Sequence, residues 1–113
     1  MSVQVVIDVA GDGGLSAAAS GDAATVLADA FDTAREALST LPPGGGILFR
    51  CQETDAPALT GALTSLCRGL AREAAPLGVR VNAVIGKSDV DELVAFLGSP
   101  AATMCTGAVL ETV

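Results

Sequence analysis

Four short apolar runs alternate with three segments of helical period, and this alternation constrains the fold more than any other feature of the chain. Residues 3–10, VQVVIDVA, are almost continuously apolar, as a strand covered on both faces of a parallel sheet must be. Residues 47–51, 79–84 and 108–112 read as three further strands. A Gly-rich stretch of small residues, 11–22, reads as a loop. From 22 to 41, Val26, Leu27, Ala30, Phe31, Ala34, Leu38 and Leu41 recur at spacings of three and four, so one stripe of a helix faces a core. Pro42 and Pro43 stop that helix, and Gly44, Gly45 and Gly46 turn the chain. The order β-α-β-α-β-α-β calls for one parallel sheet with crossover helices.

The middle helix has two unlike faces. Thr54 and Asp55 are its capping candidates, Pro57 is tolerated in its first turn, and Pro76 and Gly78 follow its end near residue 75. Leu59, Leu63, Leu66 and Leu70 form a row of large side chains suited to a sheet. Ala58, Gly61, Ala62, Ser65 and Gly69 form a row of small ones, which permits close approach of another helix. That second helix belongs either to another subunit or to a low-volume core of the same chain. A last helix, 88–97, carries Val90, Leu93, Val94 and Leu97 on one side.

The length of 113 residues allows one domain, 1–113. The chain has no His, Tyr or Trp, which removes imidazole bases, Ser-His and Cys-His nucleophile pairs, histidine metal ligands and phenol proton donors. Cys51, Cys67 and Cys105 are isolated, and neither a zinc site nor a disulfide framework is expected. An odd cysteine count and no secretory leader point to reduced thiols and a cytoplasmic location. A net charge of -7 argues against nucleic acid as a partner, because phosphate binding depends on cations. No apolar run reaches the roughly 18 residues of a membrane span. The mean hydropathy of +0.56 must therefore be absorbed by a core or an interface.

The stretch LTGALTSLCRGLAREAAPLGVRVNAV, 59–84, resembles the short-chain dehydrogenase/reductase family, in particular its β-ketoacyl reductase-like members. ELVAFLGSPAATMCTGAVL, 92–110, resembles the family's closing segment. VVIDVAG at 5–11 and FDTAREAL at 31–38 resemble the strand with the family's NNAG motif and the helix after it. The resemblance implies a truncated Rossmann-like fold of two or three layers, with a four-stranded parallel sheet and three helices. It covers the second half of the family's domain, so the Gly-rich dinucleotide turn of the first half has no counterpart. The glycines at 11–14 follow a different strand and lack the G-x-G-x-x-G spacing. Carried across by position, the family's catalytic Tyr falls on Ala56, its Lys on Thr60, its helix Asn on Val26 and its Ser near Cys51. The Asn pair of NNAG falls on Asp8 and Val9, and the segment flanking the nicotinamide on Gly86 and Lys87. No cofactor is expected on this reading, and no nicotinamide-dependent hydride transfer.

Two uses of the chain follow from the resemblance. The first is a non-catalytic subunit that assembles with itself or with a full-length short-chain reductase, stabilising or regulating it, in metabolism of the fatty-acid, polyketide or steroid type. Its interface is the row Ala58, Gly61, Ala62, Ser65, Gly69, which matches a helix the family packs between subunits. The second is a cofactor-independent cyclase or isomerase, or a small-molecule binding module, with a cleft formed by Asp8, Cys51 and Asp55. The plainer reading of that trio is a capping Asp55 and a buried, inert Cys51. Cys67 and Cys105 read as apolar fillers, Arg68, Arg72 and Glu73 as a solvated helix edge, and Asn82 as structural.

Overall fold

The computed structural model describes residues 3–10, 15–52 and 55–112; the glycine stretch 11–14 and Thr54 lie outside them. Four strands, β1 (Gln4–Asp8), β2 (Gly46–Cys51), β3 (Arg80–Ile85) and β4 (Val109–Glu111), form one sheet in the order β1-β2-β3-β4. All three pairings are parallel, with Gln4 opposite Gly46, Gly46 opposite Arg80 and Ala83 opposite Val109. Both β2 and β3 are buried along nearly their whole length, the burial that a continuous apolar run demands. The expected α/β architecture, Rossmann-like with four parallel strands in sequential order, is the one observed.

Four helices are present among the described residues, not three: α1 (Leu15–Ser20), α2 (Asp22–Leu38), α3 (Pro57–Ala74) and α4 (Val90–Leu97). The additional one, α1, is the LSAAAS stretch that its small side chains make resemble a loop. Alanine is also the strongest helix former, and α1 packs against α2 and α3. Helix α3 starts at Pro57, the first helical position, where the missing N–H leaves no partner wanting. Ala56, not Asp55, occupies its N-cap, with no side-chain hydrogen bond, so the capping role read for Asp55 is not seen. Single 3-10 turns at Ala75–Leu77 and Pro100–Ala102 complete the secondary structure.

The sheet separates two apolar layers of unequal size, so the fold has three layers. On one face Ile7, Val9, Ile47, Phe49, Val81 and Ala83 meet Ala30 and Ala34 of α2 and Leu59, Leu63, Cys67 and Leu70 of α3. On the other face, Leu48 and Val84 meet Val90 and Leu97 of α4, with Ala102 beside them. No helix among the described residues is long and apolar enough to cross a membrane.

Two polar side chains of β3 secure the C-terminal segment. Asn82, buried between β3 and the chain that leads into β4, donates from Nδ2 to the Cys105 carbonyl at 2.9 Å and accepts the Ala108 amide at Oδ1 at 3.0 Å. Arg80 Nη1 donates to the carbonyls of Leu97 and Ala102, both at 2.9 Å. A cation thus sits at the negative end of α4, the electrostatically favoured place for one. Replacing Asn82 with Ala strips partners from two buried backbone groups, each costing about 1–3 kcal/mol when unsatisfied. Asn82→Ala is expected to lose about 2–4 kcal/mol of unfolding free energy in urea denaturation, with Asn82→Asp no milder, because a buried carboxylate oxygen would face the Cys105 carbonyl.

Candidate functional site

An open α/β sheet binds ligands at the carboxyl ends of its strands. Here that end carries an ion cluster. Asp8 and Arg50 are register partners on β1 and β2, and the guanidinium grips the carboxylate with two bonds, Nε to Oδ1 at 2.6 Å and Nη2 to Oδ2 at 3.0 Å. Asp91, in the first turn of α4, approaches Arg50 Nη1 to 3.8 Å. The hydrogen bonds from Arg50 hold the Asp8 carboxyl below the usual carboxylate range, and Asp8 in turn raises Arg50. A cavity of about 280 Å³ lies beside the pair, lined by Asp8, Val9, Ala10, Arg50 and Gln52.

Side chains alternate along a strand, and this separates the cleft residues read from the sequence. Cys51 belongs with Ile47 and Phe49 on the α2–α3 face, fully buried. Asp8 and Arg50 lie on the opposite face, toward α4. Asp8 and Cys51 therefore do not share a cleft, and Asp55 is exposed ahead of α3. Cys67 is sealed in the larger core, and burial pushes its thiol up to about 11. Cys105 is half-buried in the α4 layer. Among the described residues no cluster of three His, Cys, Asp or Glu could hold a metal ion.

The positions that the resemblance matches to the family's catalytic groups lie at the start of α3 and in the first half of α2. Ala56 is buried, and Val26 and Thr60 are half-buried. A methyl, an isopropyl group and a hydroxyl offer neither the acidified phenol nor the ammonium of a Tyr-Lys pair. At Gly86 the β3–β4 ladder continues one step: the Thr112 amide bonds the Ile85 carbonyl at 2.8 Å, and the Thr112 side chain leaves no room for a Cβ on Gly86.

The small-residue row of α3 looks outward. Gly61, Ala62, Ser65 and Gly69 are exposed and Ala58 is half-buried, so no helix among the described residues covers them. A Cβ placed at Gly61 or Gly69 would meet no atom within 4 Å. Arg68 and Arg72 continue the same exposed surface, and Asp29, Asp32 and Glu36 are exposed on α2. A further cavity, about 310 Å³, is lined by Arg68, Ala71, Arg72, Ala75, Thr106 and Gly107.

The family described as short chain dehydrogenase-like protein, SDR-like, matches residues 12–112. The chain belongs to this family. Among solved structures it is similar to BdcA (YjgI) from E. coli, at 26% identity and a TM-score of 0.75, over 98% of this chain and 61% of that one. A double mutant of a Serratia marcescens short-chain dehydrogenase/reductase superposes at 0.72 with 25% identity, covering 96% and 63%. The citronellol catabolism dehydrogenase AtuB of Pseudomonas aeruginosa PAO1 shares the fold, with a TM-score of 0.76 at 24% identity, covering 96% and 59%. The SDR-like chain thus spans about three-fifths of the length of these neighbours. No curated protein matches it.

Strand alternation alone puts Arg50 on the face away from Cys51, whereas its pairing with Asp8 is not legible from either strand by itself. The signal is the register: both residues stand at the apolar-to-polar transition that ends their strands. Asp8→Asn is expected to remove less than about 1 kcal/mol of stability at neutral pH, as partly exposed pairs do. Because the folded carboxyl titrates below its unfolded value, this contribution is present above the unfolded pKa and is lost as pH falls through the folded one. Urea midpoints of variant and wild type, followed from neutral to acid, should converge. For the thiols, a maleimide titration of native protein should modify Cys105 first, with Cys51 and Cys67 reacting only after denaturant is added.

Proposed function

We propose that this SDR-like chain is a non-catalytic subunit that docks through the outer faces of α2 and α3 onto the same faces of another short-chain reductase protomer, stabilising or regulating the assembly. The observation that carries this reading is the open row on α3. An exposed glycine inside a helix costs about 1 kcal/mol relative to alanine, and Gly61 and Gly69 have room for a Cβ, so the isolated chain gains nothing from them. A second helix approaching within the spacing that small residues allow would give both positions a purpose. Arg68 and Arg72 on α3, with Asp29, Asp32 and Glu36 on α2, supply charges of both signs for the rim of such a contact.

The non-catalytic reading is supported by the chemistry of Ala56 and Thr60, which offer neither a phenol nor an ammonium group. The competing use of a cleft around Asp8, Cys51 and Asp55 loses support from the placement of Asp8 and Cys51 on opposite faces.

Mixing the purified chain with a full-length short-chain reductase from the same genome, and weighing the product by light scattering, tests the docking. Wild type is expected to form a mixed species with the reductase, and Ser65→Arg to abolish that mixed species while leaving the melting temperature within a few degrees. Saturating NADH or NADPH should leave the melting temperature of the chain alone unchanged, because only a ligand that binds the native state raises it. A clear shift, or a mixed species indifferent to Ser65→Arg, would overturn the reading.

A further inference from the structure

Strand β1 closes the sheet on one side with no neighbour among the described residues. Its odd residues face β2: the Val3 carbonyl accepts from Gly46, and the Val9 amide donates to Arg50. In a parallel ladder each residue turns both its backbone groups to one side, so the N–H and C=O of Gln4, Val6 and Asp8 point out of the open edge. Natural edges are guarded by Lys, Pro, bulges or brevity. Residues 3–10 contain neither Lys nor Pro, Val3 is 51% exposed, and Val5 and Val6 are half-buried. The strand resembles the fourth strand of the family, an interior position in a doubly wound sheet.

We infer that this edge pairs with the same edge of a second copy, antiparallel, about a two-fold axis through Val6. The segment QVVID is self-complementary under that operation. Val6 faces Val6 of the second copy, and Gln4 stands opposite Asp8 of the second copy, with the Gln4 amide held on the Val94 carbonyl and the Asp8 carboxylate on Arg50. On the other face of the sheet Val5 meets Ile7 of the second copy. The outward backbone groups fall into register at the same time: positions 4, 6 and 8 all become hydrogen-bonded pairs, giving about six main-chain bonds. The β-branched cross-strand pairs are of the favoured kind. The product is one eight-stranded sheet, four strands from each copy. A shallow cavity of about 200 Å³ between β1 and α2, lined by Ile7, Val26, Asp29, Ala30 and Thr33 among others, lies along the same edge and would be covered with it.

This contact is separate from the α2–α3 face proposed above, and each can fail alone. Backbone hydrogen exchange of wild type tests it without a variant. The Gln4, Val6 and Asp8 amides, which have no partner across β2, should be protected at least tenfold at high protein concentration and lose that protection on dilution. Val6→Pro removes an outward N–H and leaves the β1–β2 bonds intact. It should halve the mass of the assembly and expose the Gln4 and Asp8 amides, and Val6→Lys should do the same by placing two cations together at the axis. Ser65→Arg should leave the protection of Gln4 and Asp8 untouched. A monomeric wild type, unprotected amides at every concentration, or a Val6→Pro assembly of unchanged mass would each overturn the inference.

Discussion

The pairing of β2 with β3 is the constraint on which the rest of the structure depends. Six register pairs, from Gly46 with Arg80 to Cys51 with Ile85, lie between two apolar layers, and water reaches neither strand's centre. A buried ladder of this kind has no alternative register, because a shift by one residue would turn Phe49 and Ile47 toward α4 and Leu48 toward α3. Every other element is fastened to it: β1 through β2, β4 through β3, and α4 through the Arg80 guanidinium and the side chains of Leu48 and Val84.

Much of this was legible in the residues. The continuous β-branched runs announced strands buried on two faces, and the Leu59, Leu63, Leu70 spacing announced which side of α3 meets them. Helix α1 was hidden because its side chains are too small to print a hydrophobic stripe, while its alanines carry the propensity. Ala56 at the N-cap of α3 was hidden for a different reason: Thr54 and Asp55 are the better caps in isolation, and the position of Pro57 decides where the helix starts. The candidate site was legible one residue at a time and not as a whole. Strand alternation could have separated Asp8 from Cys51 only once their mutual register was known, and register is a property of the pairing, not of either strand.

Elements of a larger doubly wound domain here stand in a slab whose extents are 42 × 28 × 16 Å. Its radius of gyration, 13.4 Å, is nonetheless close to the value of about 13 Å expected for a compact domain of this length. The chain spends its apolar residues efficiently inside. What remains outside includes Leu77, Phe96 and Met104, besides the small residues of α3 and the strand at the sheet edge, surfaces that differ in chemistry and in the geometry of what could meet them.

The two apolar layers also differ in what they can withstand. The α2–α3 side is a broad core that includes Phe49, Ile47, Leu59, Leu63 and Leu70, whereas the α4 side rests on Leu48, Val84, Val90, Leu97 and Ala102. Native proteins open in cooperative units, and the unit with the smallest buried apolar surface opens at the lowest free energy. Helix α4 and the 3-10 turn after it form such a unit, held by the Arg80 side chain and by the Gln4 amide on the Val94 carbonyl. Its transient departure would bare one face of the sheet while the β2–β3 ladder and the α2–α3 core stayed folded, so the molecule has a partly opened state well below global unfolding, reached by releasing one eight-residue helix.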